Sequence, residues 1–342
     1  MRHPWVNTLL LVLVPVVLVT GYLGLTNGHA GRAWILWLHA VAAYAILAVA
    51  LWKVAVVRRS LARKPIGTPS RPAFLVMGYA TAFALLSGVV WAWVGSVNIQ
   101  GTSLMTLHAA AAIVVGLLFA WHVFESRAVF SVKRARDRRA FLRLAVAGTA
   151  GLALWQGGLL TMRMFSLPGS KRRFTGSYET GSFTGQFPGV IWLADDPQPQ
   201  SQVDWRLRVH GHVAQAVELS YADILKLPVS TQTETLDCTG GWYSEQRWAG
   251  VSLADLLAVV RPAAGAGSVT VTSSTGYNRR FSMQEAQSAL LALTVAGESL
   301  TDEHGYPARL VAPGHRGFDW VKWVTQITVN EGGDEWQSPL PV

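Results

Sequence analysis

One cysteine stands in 342 residues, Cys238, so no internal disulfide staples any part of this chain. A single sulfur also excludes an all-protein zinc or iron–sulfur site, which needs several soft ligands. Two readings of Cys238 stay open: a small buried hydrophobe, or a thiolate ligand to a soft metal held mainly by something other than protein. Charge is scarce as well, at 14% of residues against 51% hydrophobic, which is too apolar for one ordinary soluble domain. Acids are nearly missing from the first 145 residues, which hold 15 Lys and Arg but only Glu125 and Asp137, while the remainder carries 14 basic and 18 acidic residues. The basic excess therefore belongs to the apolar half. The C-terminal half has no basic stripe with interleaved aromatics, which excludes a nucleic-acid partner.

What is present in the first half is hydrophobic length. Five runs, roughly 5–26, 33–57, 72–95, 104–126 and 140–161, each approach the ~20 apolar residues a spanning helix needs. Arg58, Arg59, Arg63, Lys64 and Arg71 separate the second and third runs, and Arg127, Lys133, Arg134, Arg136, Arg138 and Arg139 the fourth and fifth. The intervening loops are almost free of positive charge. The positive-inside bias then places the N-terminus in the cytoplasm and everything after about residue 165 outside a cytoplasmic membrane crossed five times.

Histidines within such runs are costly and mark function. His39 opens the second run, His108 opens the fourth and His122 closes it, and His3 precedes the first. With alternating helix directions, His39 and His108 fall near the outer face, His3 and His122 near the inner one. His108 and His122, 14 residues apart, share one helix face and stand ~21 Å apart along its axis at ~1.5 Å per residue. Each pair is placed to clamp a haem iron. The set, with the opening Arg2-His3-Pro4-Trp5-Val6-Asn7 and Thr20-Gly21, resembles the di-haem cytochrome b subunits of membrane formate dehydrogenases and nickel–iron hydrogenases. That resemblance implies one or two b-type haems and a quinone or quinol partner. The run Asp137-Arg138-Arg139-Ala140-Phe141-Leu142-Arg143 before the fifth span anchors it and also looks like a twin-arginine export signal, the address of proteins exported already folded.

Composition changes after residue 164. Residues 165–203 are rich in Gly, Ser, Thr and Pro and read as a linker with an extended segment. From 204 to 342 short alternating stretches such as Trp205 to His212 and Ser268 to Ser273 predict strands, and Tyr221 to Lys226, Ser252 to Val260 and Arg280 to Ala289 predict or lead into helices. A threonine-rich strand from Val229 to Leu236 delivers Cys238, and Gly240-Gly241 lets the backbone turn beside the sulfur. His210 and His212 alternate on a strand and read as surface or packing residues.

Thr235-Leu236-Asp237-Cys238-Thr239-Gly240-Gly241-Trp242, then Glu303-His304-Gly305-Tyr306-Pro307-Ala308-Arg309, Gly317 and Val321-Lys322-Trp323-Val324, together resemble the molybdopterin-binding domain of the sulfite oxidase family. The likeness is nearest to the bacterial branch that includes the periplasmic protein-methionine-sulfoxide reductases. It implies a C-terminal mixed α+β molybdopterin domain, which the five apolar runs join to an N-terminal all-α transmembrane bundle. It implies molybdenum bound by a pterin dithiolene with Cys238 as protein thiolate. Arg309 and Lys322 occupy the positions that hold the pterin phosphate, Ser273 that of a hydroxyl residue, and His304 that of an asparagine. Trp320 and Val321 belong to the same cofactor-binding segment. Tyr243, Arg247 and His315-Arg316 are candidates for the substrate mouth, where a cationic lining favours a small oxyanion. Thr-Gly-Gly-Trp after the cysteine, where animal sulfite oxidases carry an arginine-rich run, argues against sulfite, and the segment's likeness to the sulfoxide reductases implies reduction of a sulfoxide-like substrate. The expected activity is two-electron oxygen-atom transfer outside the membrane. The alternatives are oxidation of sulfite or a related sulfur compound with electrons passing inward, and a cofactor-less binding module on a membrane anchor.

Overall fold

The computed structural model describes residues 4–63, 70–125, 138–192, 195–333 and 337. It divides into two compact units, Met1–Tyr178 and Glu179–Val342.

The first unit is built from five helices: α1 (Pro4–Thr26), α2 (Trp34–Arg63), α3 (Ser70–Val94), α4 (Leu104–Glu125) and α5 (Arg138–Met164). All five are long and apolar enough to cross a membrane, as the hydrophobic runs predict. Pro4 opens α1 at the position where a missing N–H costs nothing. α2 continues past the expected 57 into Arg58 and Arg59, because arginine is a strong helix former and no breaker intervenes. Between α3 and α4 a small hairpin pairs β1 (Asn98–Ile99) with β2 (Thr102–Ser103), its turn made by Gln100 and Gly101 at φ 47° and 81°. α1 packs along α2, α3 along α4, and α5 along α2. Leu13 and Val14 of α1 meet Ala42, Ala45 and Ile46 of α2 in a buried seam. Beyond α5, Tyr178 donates to the Trp91 carbonyl at 2.6 Å, and Trp91 Nε1 donates to the Gly176 carbonyl at 2.8 Å. Large side chains such as Trp34, Trp37, Tyr79, Leu117 and Phe124 face outward.

The second unit follows β3 (Tyr178–Glu179). Its elements are β4 (Arg206–Gly211), β5 (Val217–Ser220), α6 (Tyr221–Ile224), β6 (Ser230–Asp237), β7 (Trp242–Ser252), α7 (Leu253–Val260), β8 (Ser268–Ser273) and β9 (Asn278–Ser282). There follow α8 (Met283–Ser288), β10 (Leu290–Val295), β11 (Glu298–Ser299), β12 (Arg309–Val311) and β13 (Val324–Asn330). Arg280, expected to lead a helix, lies instead in β9 opposite Thr270. The helix waits for Ser282, whose side chain caps it in a box with Glu285.

One sheet has the order β5-β4-β13-β8-β9, with β4 and β13 parallel and the other pairs antiparallel. In the other, β10 pairs with β11, β12 and β7, and β7 pairs with β6. Alternation fills the core: Leu207 and Val209, Val269 and Val271, Ile327 and Val329 all point inward. Helix α7 contributes Leu253, Leu256, Leu257 and Val260, one helical stripe, behind its Ser252 cap. Trp248 lies at the centre with no exposed surface.

Candidate functional site

Cys238 sits at the end of the β6–β7 hairpin. Asp237 pairs with Tyr243 as the last ladder position, and the Cys238 N–H donates to the Trp242 carbonyl at 2.9 Å. The chain reverses through Gly241 at φ 92°, a conformation glycine adopts without steric cost. The sulfur is almost buried, 8% exposed, and the Gly240 N–H donates to it at 3.4 Å. Burial pushes the thiol pKa up, and the Gly240 N–H and the Arg316 charge work against that rise.

The sulfur opens into a cleft whose lining includes Ser273, His304, Arg309, Trp320 and Lys322. Five segments far apart in sequence thus converge. Arg309 is the first residue of β12, opposite Ala292. Only 1% exposed, its guanidinium lies 5.1 Å from the Trp248 ring and 5.8 Å from the Trp320 ring. It donates to the His304 carbonyl at 3.1 Å. Lys322 donates to the carbonyls of Val190, at 2.8 Å, and Glu303. Between them Gly305 sits at φ 100°, where a Cβ would come within 2.9 Å of Lys322 Cβ and 3.2 Å of Arg309 Cβ. Glycine is what allows the two cations to share one wall. Burial lowers Arg309 to about 9. Burial first, then the like charge of Arg309, lowers Lys322 to about 7.

His304 stacks on Phe187, ring centroids 3.9 Å apart, with its Nε2 2.9 Å from the Phe187 carbonyl. Burial lowers its pKa. The Ser273 hydroxyl accepts from the Thr275 N–H at 3.2 Å.

Five of the sequence candidates, Tyr243, Arg247, His315, Arg316 and Val321, do not line the cleft. Side chains on β7 alternate, so Ser244, Gln246 and Trp248 are buried while Tyr243 and Arg247 point to the opposite side. Arg247 is exposed and lines a separate hollow with Phe183 and Thr231, not the cleft of Cys238. Val321 is fully buried in the core, and its carbonyl accepts from the Leu310 N–H at 2.7 Å. Arg316 is 3% exposed but committed: its Nη2 donates to the Cys238 carbonyl at 3.0 Å and lies 3.6 Å from Asp237 Oδ1. His315 is held between Asp319, 3.3 Å, and Glu285, 3.4 Å. The expected cationic mouth is therefore not assembled.

The sequence places Phe187 in a segment that lies along this domain and Trp242 and Trp323 inside the motifs but gives none of them a role, and neither Phe318, which walls the cleft with them, nor the Asp237–Arg316 pair was foreseen. Asp237 stood next to the cysteine, the one available signal.

In the helical unit His39 on α2 and His108 on α4 face each other, ring centroids 6.3 Å apart and planes at 77°. His39 Nδ1 lies 2.9 Å from the Val17 carbonyl, and His108 Nδ1 lies 2.8 Å from the Ala84 carbonyl. His122 closes α4 with its ring 5.0 Å from Phe74. His3 and Asp137, the first residue of the twin-arginine run, lie outside the described residues.

The residues of the cleft fit the phosphate-bearing end of a pterin cofactor. Arg309 Nε, Trp320 Nε1 and His304 Nδ1 are buried donors or ring nitrogens without a hydrogen-bond partner among the described residues. Among the described residues of this unit, the ion pairs use Arg208, Lys226, Arg279, His315 and Arg316, and none uses Arg309 or Lys322. A buried cation without a counter-charge is costly, and an anion at this wall removes that cost through charge-assisted hydrogen bonds.

Fold and cleft define a class: a molybdopterin-binding oxidoreductase domain, mixed in topology, whose cleft opens beside a lone thiol. The chain belongs to the family described as oxidoreductase molybdopterin binding domain, whose model matches residues 195–336. It is 30% identical over 147 residues to the uncharacterized oxidoreductase YuiH of Bacillus subtilis, covering 42% of this chain and 74% of that one. It is 30% identical over 156 residues to the protein-methionine-sulfoxide reductase catalytic subunit MsrP of Gluconobacter oxydans, covering 39% of this chain and 50% of that one. With the mitochondrial sulfite oxidase of Rattus norvegicus the identity is 28% over 187 residues, 44% and 34% of the two chains. The chain thus spans half or less of the reductase and the oxidase. The family model lies wholly C-terminal to the five helices.

Proposed function

We propose that this oxidoreductase is anchored in a cytoplasmic membrane by its five helices and transfers oxygen atoms outside it, reducing a neutral sulfoxide-like substrate with electrons from quinol. The substrate takes up two electrons and two protons and leaves as thioether and water. When bound, molybdenum in its pterin dithiolene supplies the two-electron centre for that transfer, with Cys238 as the protein thiolate. Arg309, Lys322 and Ser273 would hold the cofactor phosphate, Trp320 Nε1 would donate to the cofactor, His304 Nδ1, left an acceptor because Nε2–H faces the Phe187 carbonyl, would be open to a donor group of the cofactor, and Trp242 and Phe318 would exclude water from the thiol.

The distribution of positive charge carries the choice of substrate. Arg316 is tied to Asp237 and the Cys238 carbonyl, Arg247 lies on another surface, and Arg309 and Lys322 are taken up by the phosphate. Among the described residues, the cations near Cys238 thus each have another partner or task, which disfavours recruitment of sulfite or nitrate, and several aromatic side chains wall the cleft.

His39 and His108, with ring centroids 6.3 Å apart, are spaced so that they would hold a b-type haem between them, which would supply one-electron transfer to the site. A second haem would join His122 to His3. Arg138 and Arg139 at the start of α5 serve as a twin-arginine address, which suits a domain that folds around its cofactor before export.

Purified full-length protein from a cofactor-competent host tests this reading by its molybdenum, pterin and haem content and by its haem spectrum. Quinol is expected to reduce the haem and added sulfoxide to reoxidise it. Haem reduction by sulfite alone would replace this reading with sulfite oxidation, and a protein without molybdenum would leave only a binding module.

A further inference from the structure

The helical unit contains the same local device twice. Thr20 and Gly21 on α1 face His39 on α2, and Ser87 and Gly88 on α3 face His108 on α4. The hydroxyl oxygen of Thr20 lies 3.3 Å from His39 Nδ1, and that of Ser87 lies 3.2 Å from His108 Nδ1. In both, the backbone carbonyl that receives the Nδ1 proton belongs to the residue three before the hydroxyl, Val17 and Ala84. In both, the hydroxyl hydrogen is committed to its own helix, Thr20 to the Val16 carbonyl at 2.5 Å and Ser87 to the Ala84 carbonyl at 3.1 Å. Its oxygen is thereby left to accept from the imidazole. In both, the glycine after the hydroxyl lets the ring lie flush on the helix: a Cβ would come within 3.1 Å of His39 Cε1 at Gly21 and 3.3 Å of His108 Cε1 at Gly88. α1 and α2 pack as one pair and α3 and α4 as another, with few contacts between α2 and α3. The two histidines meet across that sparse seam.

We infer that α1–α2 and α3–α4 are duplicated half-sites, each presenting one imidazole to a shared metal macrocycle, and that Thr20 and Ser87 are matched positioning residues for its two axial ligands. The inference rests on the haem reading above. A neutral imidazole whose Nδ1–H is held by oxygen acceptors binds metal through Nε2, and the acceptors raise its basicity. Greater ligand basicity favours the oxidised iron. Removing either hydroxyl therefore raises the haem midpoint potential, and the equivalence of the halves makes the two effects alike in sign and similar in size.

Redox titration of full-length Thr20→Val, Ser87→Ala and the double variant in membranes, followed by haem absorbance, decides the matter. The single variants are expected to raise the potential by comparable amounts and the double variant by about their sum, while Thr20→Ser and Ser87→Thr restore the wild-type value. Gly21→Ala and Gly88→Ala are expected to lower haem retention, roughly tenfold each. Gly78→Ala on α3, where a Cβ meets nothing within 4 Å, leaves it unchanged. A potential that moves in only one of the two hydroxyl variants, or in neither, overturns the duplication while leaving the haem reading standing. A wild-type protein without haem removes both.

Discussion

At the scale of single residues, the decisive tension lies in Arg309, buried, and Lys322, half-buried, two like charges on one wall. Arg309→Met removes a charge that the cofactor-free fold has no partner for. The cofactor-free variant is therefore expected to melt at or above the wild-type temperature, while its retention of pterin falls roughly ten- to a hundredfold, the worth of charged hydrogen bonds of about 1.5–3 kcal/mol. Opposite movement of the two quantities is the signature, and parallel losses in a thermal melt and a pterin assay would point to a merely structural arginine. Lys322 adds a pH dependence. Its pKa falls from 10.5 to about 7 in the cofactor-free fold, so between those values the unfolded chain binds a proton that the folded chain has shed. Stability of the cofactor-free protein then rises as pH increases from about 7 toward 10.5, and Lys322→Met flattens that slope in melts run across the window. Both residues were legible in the sequence because each sits in a short continuous motif. The Asp237–Arg316 pair was not, since 79 positions separate its members and nothing local announces their meeting.

Elements explain why proximity in sequence misled at one point and served at another. Tyr243 and Arg247 follow Cys238 closely, but a strand leaving a tight turn carries its side chains away and deals them alternately to two faces. The buried parity on β7 belongs to Ser244, Gln246 and Trp248, so the two candidates fall on the other side. The five apolar runs, by contrast, were legible to within about three residues, the basic end of α2 apart, because length and hydropathy suffice to define a helix able to span a membrane. Between elements, Gly305 is the hinge of the cation wall, following the short turn Asp302–His304 and preceding β12. Gly305→Ala must either hold alanine at φ 100° or push Lys322 away. A loss of about 1–3 kcal/mol in denaturant unfolding is expected, together with weaker pterin retention. Unchanged unfolding would show that the loop relaxes freely and that the wall does not depend on it.

For the whole molecule, the proposed electron path requires the molybdopterin unit and the His39–His108 pair to lie toward the same side of the membrane, and this fixes a topology that labelling can read. Positive residues collect at the end of α2 and the start of α5, with Arg58, Arg59, Arg138, Arg139 and Arg143, and cytoplasmic retention of such clusters orients the other helices. Cys238 is buried, so cysteines introduced at exposed positions supply the signal against a quiet background. Ser96→Cys, between α3 and the β1–β2 hairpin, and Glu298→Cys, in β11, are expected to react with an impermeant maleimide in intact cells or spheroplasts. Arg59→Cys is expected to react only after permeabilisation. Labelling of Glu298→Cys and Arg59→Cys from one side would place the oxidoreductase unit in the cytoplasm. The twin-arginine address would then have nothing to export, and a cytoplasmic electron donor would have to take the place of the path through His39 and His108.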